Sequence, residues 1–126
     1  MTVMPSAVEF QGLLDQLGQA CKRVERPNAF EHEQVVFDLV FRQDQARCWI
    51  ELRVDIRELD ERNAVELMAA ALAQNTHVMS RFVLPCSFGL LNSPSRLVCS
   101  VRLEGPCPRV SDVFVFLRKL NEQWRF

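Results

Sequence analysis

The chain is 126 residues long, 48% apolar and 25% charged, with a formal net charge of -1. That size and mix suit a single domain over residues 1–126 with one shared core, and exclude the charge-rich, apolar-poor composition of disordered chains. A charge this close to zero also removes the electrostatic case for a nucleic-acid partner, which needs a concentrated basic patch.

The opening MTVMPSAVEFQ has neither a basic start nor a long apolar run, and no stretch approaches the roughly 20 apolar residues that span a bilayer. The expectation is a cytoplasmic protein with no membrane insertion. Cys21, Cys48, Cys86, Cys99 and Cys107 are odd in number and never paired as CxxC, so neither a disulfide framework nor a zinc knuckle is expected. Residues 1–63 hold 8 basic and 12 acidic side chains and residues 64–126 hold 7 and 4. The imbalance reads either as uneven surface charge or as a patch complementary to a charged partner or a second copy.

The first helix is signalled by Ser6 and Glu9 at capping-box spacing after Pro5, followed by Phe10, Leu13, Leu14, Leu17 and Cys21 at helical intervals. Gly12 and Gly18 weaken it by roughly 1 kcal/mol each relative to Ala, so packing has to hold it. It should end near Lys22, before Pro27. A strand follows over Gln34–Arg42, with Val35, Phe37, Leu39 and Phe41 on one face, then a short turn at Asp44 and Gln45. Arg47–Arg57 is the cleanest strand, setting Cys48, Ile50, Leu52, Val54 and Ile56 against charged residues and Trp49. The two should form a hairpin. A third early strand fits only in Val24–Glu31, which Pro27 interrupts.

Asn63 and Glu66 give a second capping signal, and AVELMAAALAQN after it is apolar nearly all round. Such a helix needs cover on two sides, from the sheet and either a second subunit or more of its own domain. Strands are expected over Arg81–Leu91 and Arg96–Glu104, joined by a turn at Asn92-Ser93-Pro94. Pro85 marks an edge or a bulge. Pro106 and Pro108 break the chain before a last helix with Ser111 as N-cap and Val113, Phe116, Leu117, Leu120 and Trp124 as its stripe. The fold class is therefore α+β: helix, strands, helix, strand pair, helix around one antiparallel sheet.

Catalytic chemistry finds little to work with. His32 lies in a charged loop and His77 follows the second helix, neither patterned with a nucleophile, and Cys21, Cys48, Cys86 and Cys99 fall on core-facing positions. Cys107, between two prolines, looks the most exposed thiol. Glu31-His32-Glu33 is the only local Glu/His cluster, and neighbours on an extended chain point to opposite sides, so no metal site is expected. GxxxxGK[ST], GxGxxG and GxSxG are all missing. What is plentiful is apolar surface: the second face of the strands carries Val36, Val40, Trp49, Val83, Leu91 and Val98. That means either further cover from helices or a groove for a partner, with Trp49 the sharpest anchor.

In pattern the chain resembles the class I, or Tir-chaperone-like, effector chaperones of bacterial type III secretion. FQGLLDQLG looks like that family's first helix, AVELMAAALAQN like its middle helix, RFVLPCSFGLL and RLVCSVRLEG like the strand pair, and VFVFLRKLNEQWRF like its last helix with the closing Trp124-Arg125. The resemblance implies a virulence-associated homodimer, built through the middle helix, that holds the N-terminal segment of a secreted effector in a non-globular form without ATP or any cofactor. On that reading Leu14, Val36, Val40 and Trp49 contact the effector, and Leu67, Ala70 and Ala71 form the dimer seam. The rival is an adaptor or regulator of the same fold that binds a folded partner. A catalytic role is not expected.

Overall fold

In the computed structural model the described residues are 4–58, 62–63, 65–66, 69–70, 73, 86–91 and 96–123. Helix α1 (Ala7–Ala20) starts at the capping box read from the sequence. The Glu9 amide donates to Ser6 Oγ at 3.1 Å, and the Ser6 amide donates to Glu9 Oε1 at 3.0 Å. Two of the helix's orphan donor positions are thereby tied to its first turn. The helix buries Phe10, Leu13, Leu14 and Leu17.

After α1 the chain differs from expectation. Val24–Glu31, in which the sequence leaves room for one strand at most, carries the turn of a hairpin between β1 (Lys22–Arg23) and β2 (Ala29–His32). Pro27 does not interrupt a strand. It forms the corner of a turn closed by the Ala29 amide donating to the Arg26 carbonyl at 3.3 Å, with Asn28 at φ 58°. Proline followed by a residue with positive φ is the requirement of a type II turn. Arg23 folds back from β1, its guanidinium 5.6 Å from the centre of the Phe30 ring and against Gly18 of α1, where a side chain would collide with it.

Strand β3 (Val35–Asp44) returns through a two-residue connection, His32 opposite Val35, in which both Glu33 and Gln34 have positive φ. β4 (Arg47–Glu58) pairs with β3 from Asp44 opposite Arg47 to Phe37 opposite Val54, so the expected hairpin is present with Gln45 and Ala46 as its loop. β5 (Cys86–Leu91) and β6 (Arg96–Leu103) pair with each other, and β6 inserts beside β4. The result is one antiparallel sheet in the order β1-β2-β3-β4-β6-β5. A register shift between Asp55 and Arg57 makes Ile56 an extra residue in β4.

Helix α2 (Val110–Gln123) closes the described chain. Ser111, expected as its N-cap, lies inside it; Arg109 precedes the helix, its carbonyl accepting from the Val113 amide at 3.1 Å and its amide donating to Asp112 Oδ2 at 3.0 Å. Positions 65, 66, 69, 70 and 73 are helical as well. The turn expected at Asn92-Ser93-Pro94, Pro85 and Trp124 lie outside the described residues.

The core lies on one face of the sheet. Phe30, Phe37, Leu39, Ile50, Leu52, Val54, Phe88, Leu97, Cys99, Val101 and Leu103 point there, and Phe10, Leu13, Leu14 and Leu17 of α1 with Val113, Leu117 and Leu120 of α2 pack against them. The Phe10 and Phe41 rings meet at 5.6 Å. Each fully buried Leu or Phe here contributes about 1.5–3 kcal/mol, which outweighs the helix propensity lost at Gly12 and Gly18.

Candidate protein-binding site

Alternation along β2, β3, β4 and β6 sends the remaining side chains to the opposite face, for which the sequence leaves open further cover from helices or an apolar groove around Trp49. The structure places a lattice of ion pairs there instead. Asp38, 4% exposed, receives a bidentate guanidinium contact from Arg53 across the strand pair. Asp55 takes both Arg26 of the β1–β2 turn, Nη2 to Oδ2 at 2.7 Å, and Arg96 of β6, Nε to Oδ1 at 3.1 Å. Arg42 reaches Glu51 at 3.2 Å and Arg102 reaches Glu104 at 2.6 Å. Trp49 is half-buried with the Arg102 guanidinium 3.8 Å from its ring centre, so a cation covers the indole face that an apolar partner would use.

The four residues expected to touch an effector do not form one surface. Val36, Val40 and Trp49 are half-buried among these ion pairs. Leu14 is 6% exposed and belongs to the core on the other side of the sheet, so it is removed from any binding surface. Of the three seam residues, Ala70 is helical and half-buried, while Leu67 and Ala71 lie outside the described residues.

A different place offers apolar surface. Between the end of β6 and α2 runs a trough of ≈ 570 Å³, floored by Val101 and Leu103, walled by Val115 and Phe116, closed by the Pro106-Cys107-Pro108 turn and rimmed by Arg102, Glu104, Asp112 and Lys119. Val115 is 44% exposed, and among the described residues the other exposed large apolar side chains are Met4, Val8 and Val65. The sequence did carry a signal for this wall. Val113 to Phe116 reads VFVF, apolar all round a turn, and of these Val113 is buried in the core and Phe114 and Phe116 pack half-buried against it, which leaves Val115 outside.

Cys107 differs from the exposed, reactive thiol expected from its prolines. It is half-buried, its sulfur donates to the Glu9 carbonyl at 3.5 Å, and burial together with the charge of Glu9 pushes its pKa up. Burial also raises Cys21. Both shifts favour the thiol over the more nucleophilic thiolate. His32, expected in a solvated loop, ends β2 and stacks on Phe114 of α2 with ring centres 3.8 Å apart. Among the described residues no three of His, Cys, Asp and Glu converge as a metal cluster, and no helix is long and apolar enough to cross a membrane. His77 lies outside the described residues.

Comparison of the chain with protein-family models, with curated proteins and with solved structures finds no match.

Proposed function

We propose that the chain is a homodimeric chaperone of the class I type III secretion kind, which binds the N-terminal segment of a secreted effector in the cytoplasm and keeps it fit for export without ATP or a cofactor. The observation that carries this reading is the trough between β6 and α2. It is apolar at its floor and wall, carries both signs of charge on its rim, and is large enough for several side chains of an extended segment. Apolar burial there yields roughly 25 cal/mol per Å², offset in part by the entropy of ordering the client. The segment-by-segment resemblance of helices and strands supports the family. Self-association is supported by Val65, Ala69 and Ala73, exposed at four-residue steps along one helical face. That apolar face is the one a second copy would cover.

Co-expression with an N-terminal fragment of the protein encoded beside it tests both parts. The fragment is expected to copurify, and light scattering of the free chain to read twice 14.6 kDa. Val115→Asp is expected to reduce retention about tenfold, as a buried charge in an apolar contact should, while leaving the fold intact because Val115 is exposed in the free protein. A fragment that fails to stay with the wild-type chain sinks the chaperone reading, and a monomer mass sinks the dimer.

A further inference from the structure

We propose that the trough selects its client by charge as well as by apolar surface, taking an extended segment in which an acidic side chain stands two residues from an apolar one, with the acid against Lys119. This rests on the reading of the trough as the client's seat. Asp112, Val115, Phe116 and Lys119, the α2 residues that line it, are spaced i, i+3, i+4 and i+7, one face of the helix over two turns. The core stripe of Val113, Leu117 and Leu120 is a different face. Along the trough the helix therefore presents an acid, two apolar side chains and a base.

The rim charges are not equivalent. Arg102 and Glu104 neutralise each other at 2.6 Å, and the Arg102 guanidinium also covers Trp49. Asp112, in the first turn where the helix dipole favours a carboxylate, accepts from the Arg109 amide at 3.0 Å. Lys119 is exposed, and among the described residues no carboxylate pairs with it. Arg118 and Glu122, its exposed neighbours on α2, carry opposite charges and line no part of the trough. An acidic client group at this end thus meets a cation without a counter-ion, whereas a basic one meets its like. The spacing follows from geometry. Val115 and Lys119 are four residues apart, about 6 Å along the helix axis. Residues two apart on an extended segment are separated by about 6.7 Å and share one face. A segment lying along α2 then sets one side chain on Val115 and Phe116 and the next on that side against Lys119, while the residue between them points away.

Short synthetic peptides of Gly, Ser and Thr that carry Leu-x-Leu-x-Glu and an N-terminal fluorophore test the inference, read by fluorescence anisotropy against the full chain at low salt. The Glu peptide is expected to bind about three- to tenfold more tightly than the same peptide with Lys in that place, and high salt to remove most of the difference. Moving Glu one residue nearer, to Leu-x-Leu-Glu, turns it to the opposite side and is expected to lose the advantage. Lys119→Glu, at an exposed position where the fold tolerates the change, is expected to reverse the preference, and Lys119→Gln to level it. Equal binding of the Glu and Lys peptides by the wild-type chain, or a preference for Glu that survives Lys119→Glu, overturns the inference and leaves the trough as an apolar seat. Val115→Asp keeps the two readings apart, since it is expected to weaken every peptide. Peptides that bind this variant as well as the wild type, or that fail to bind the wild type at all, overturn both the charge selection and the trough as the client's seat.

Discussion

Gln34 sits at φ 68° and Glu33 at φ 50°, adjacent left-handed positions that a two-residue hairpin with the twist of its strands requires and that Asn and Gly fill at least cost. A side chain with a Cβ loses about 1–2 kcal/mol there. Glycine relieves that at the expense of about 0.5–1 kcal/mol of extra freedom in the unfolded chain. Gln34→Gly is therefore expected to raise stability by roughly 0.5–1 kcal/mol, seen as a higher denaturation midpoint at unchanged slope. A fall in the midpoint would mean that the Gln34 side chain holds the hairpin in some other way. Asn28, at φ 58° in the preceding turn, shows the contrasting case, a residue type suited to its corner.

At the scale of elements, the second face of the sheet is held by pairs that only the register reveals. Asp38 stands opposite Arg53, and with Asp38 buried the removal of its guanidinium leaves a charge without compensation. Arg53→Met is expected to cost about 3 kcal/mol, and Arg53→Met combined with Asp38→Asn markedly less, measured by urea denaturation of both variants. Equal losses in the two would show that the pair is not the source. The same face marks how far the sequence can be read. Its alternating pattern locates β3, β4 and β6 and names the core side correctly, because Phe37, Leu39, Ile50, Leu52, Leu97 and Cys99 recur every second residue. The pattern says which residues share a face and nothing about which meet across strands, so Val36, Val40 and Trp49 leave a groove or further cover open while the pairing of arginines and aspartates between them goes unseen. α1 is legible because its capping box is local. The β1–β2 hairpin is not, since Pro27 weighs against a strand until the turn it builds is known. The trough is only half legible for a related reason: the VFVF run signals an apolar surplus on α2, but only the packing of the helix shows that Val115 is the residue left outside the core.

For the molecule as a whole, β6 lies between β4 and β5 while β3 and β4 pair through a two-residue loop. These two kinds of pairing differ in what the unfolded chain must do to reach them. The β3–β4 ribbon zips from a local turn on the microsecond scale, whereas bringing Leu103 beside Ile50 must first close a long loop. The barrier to folding should accordingly be crossed with the ribbon formed and the slot beside β4 still vacant. Leu39→Ala and Leu52→Ala are then expected to give φ-values of about 0.5 or more, and Leu97→Ala and Val101→Ala values of about 0.3 or less, from folding and unfolding rates in denaturant. A reversed order would place the nucleus in the C-terminal half. With the ribbon first, the chain passes through a moment in which one long β4 edge is bare, and speed of insertion by β6 becomes its protection against pairing with a stranger.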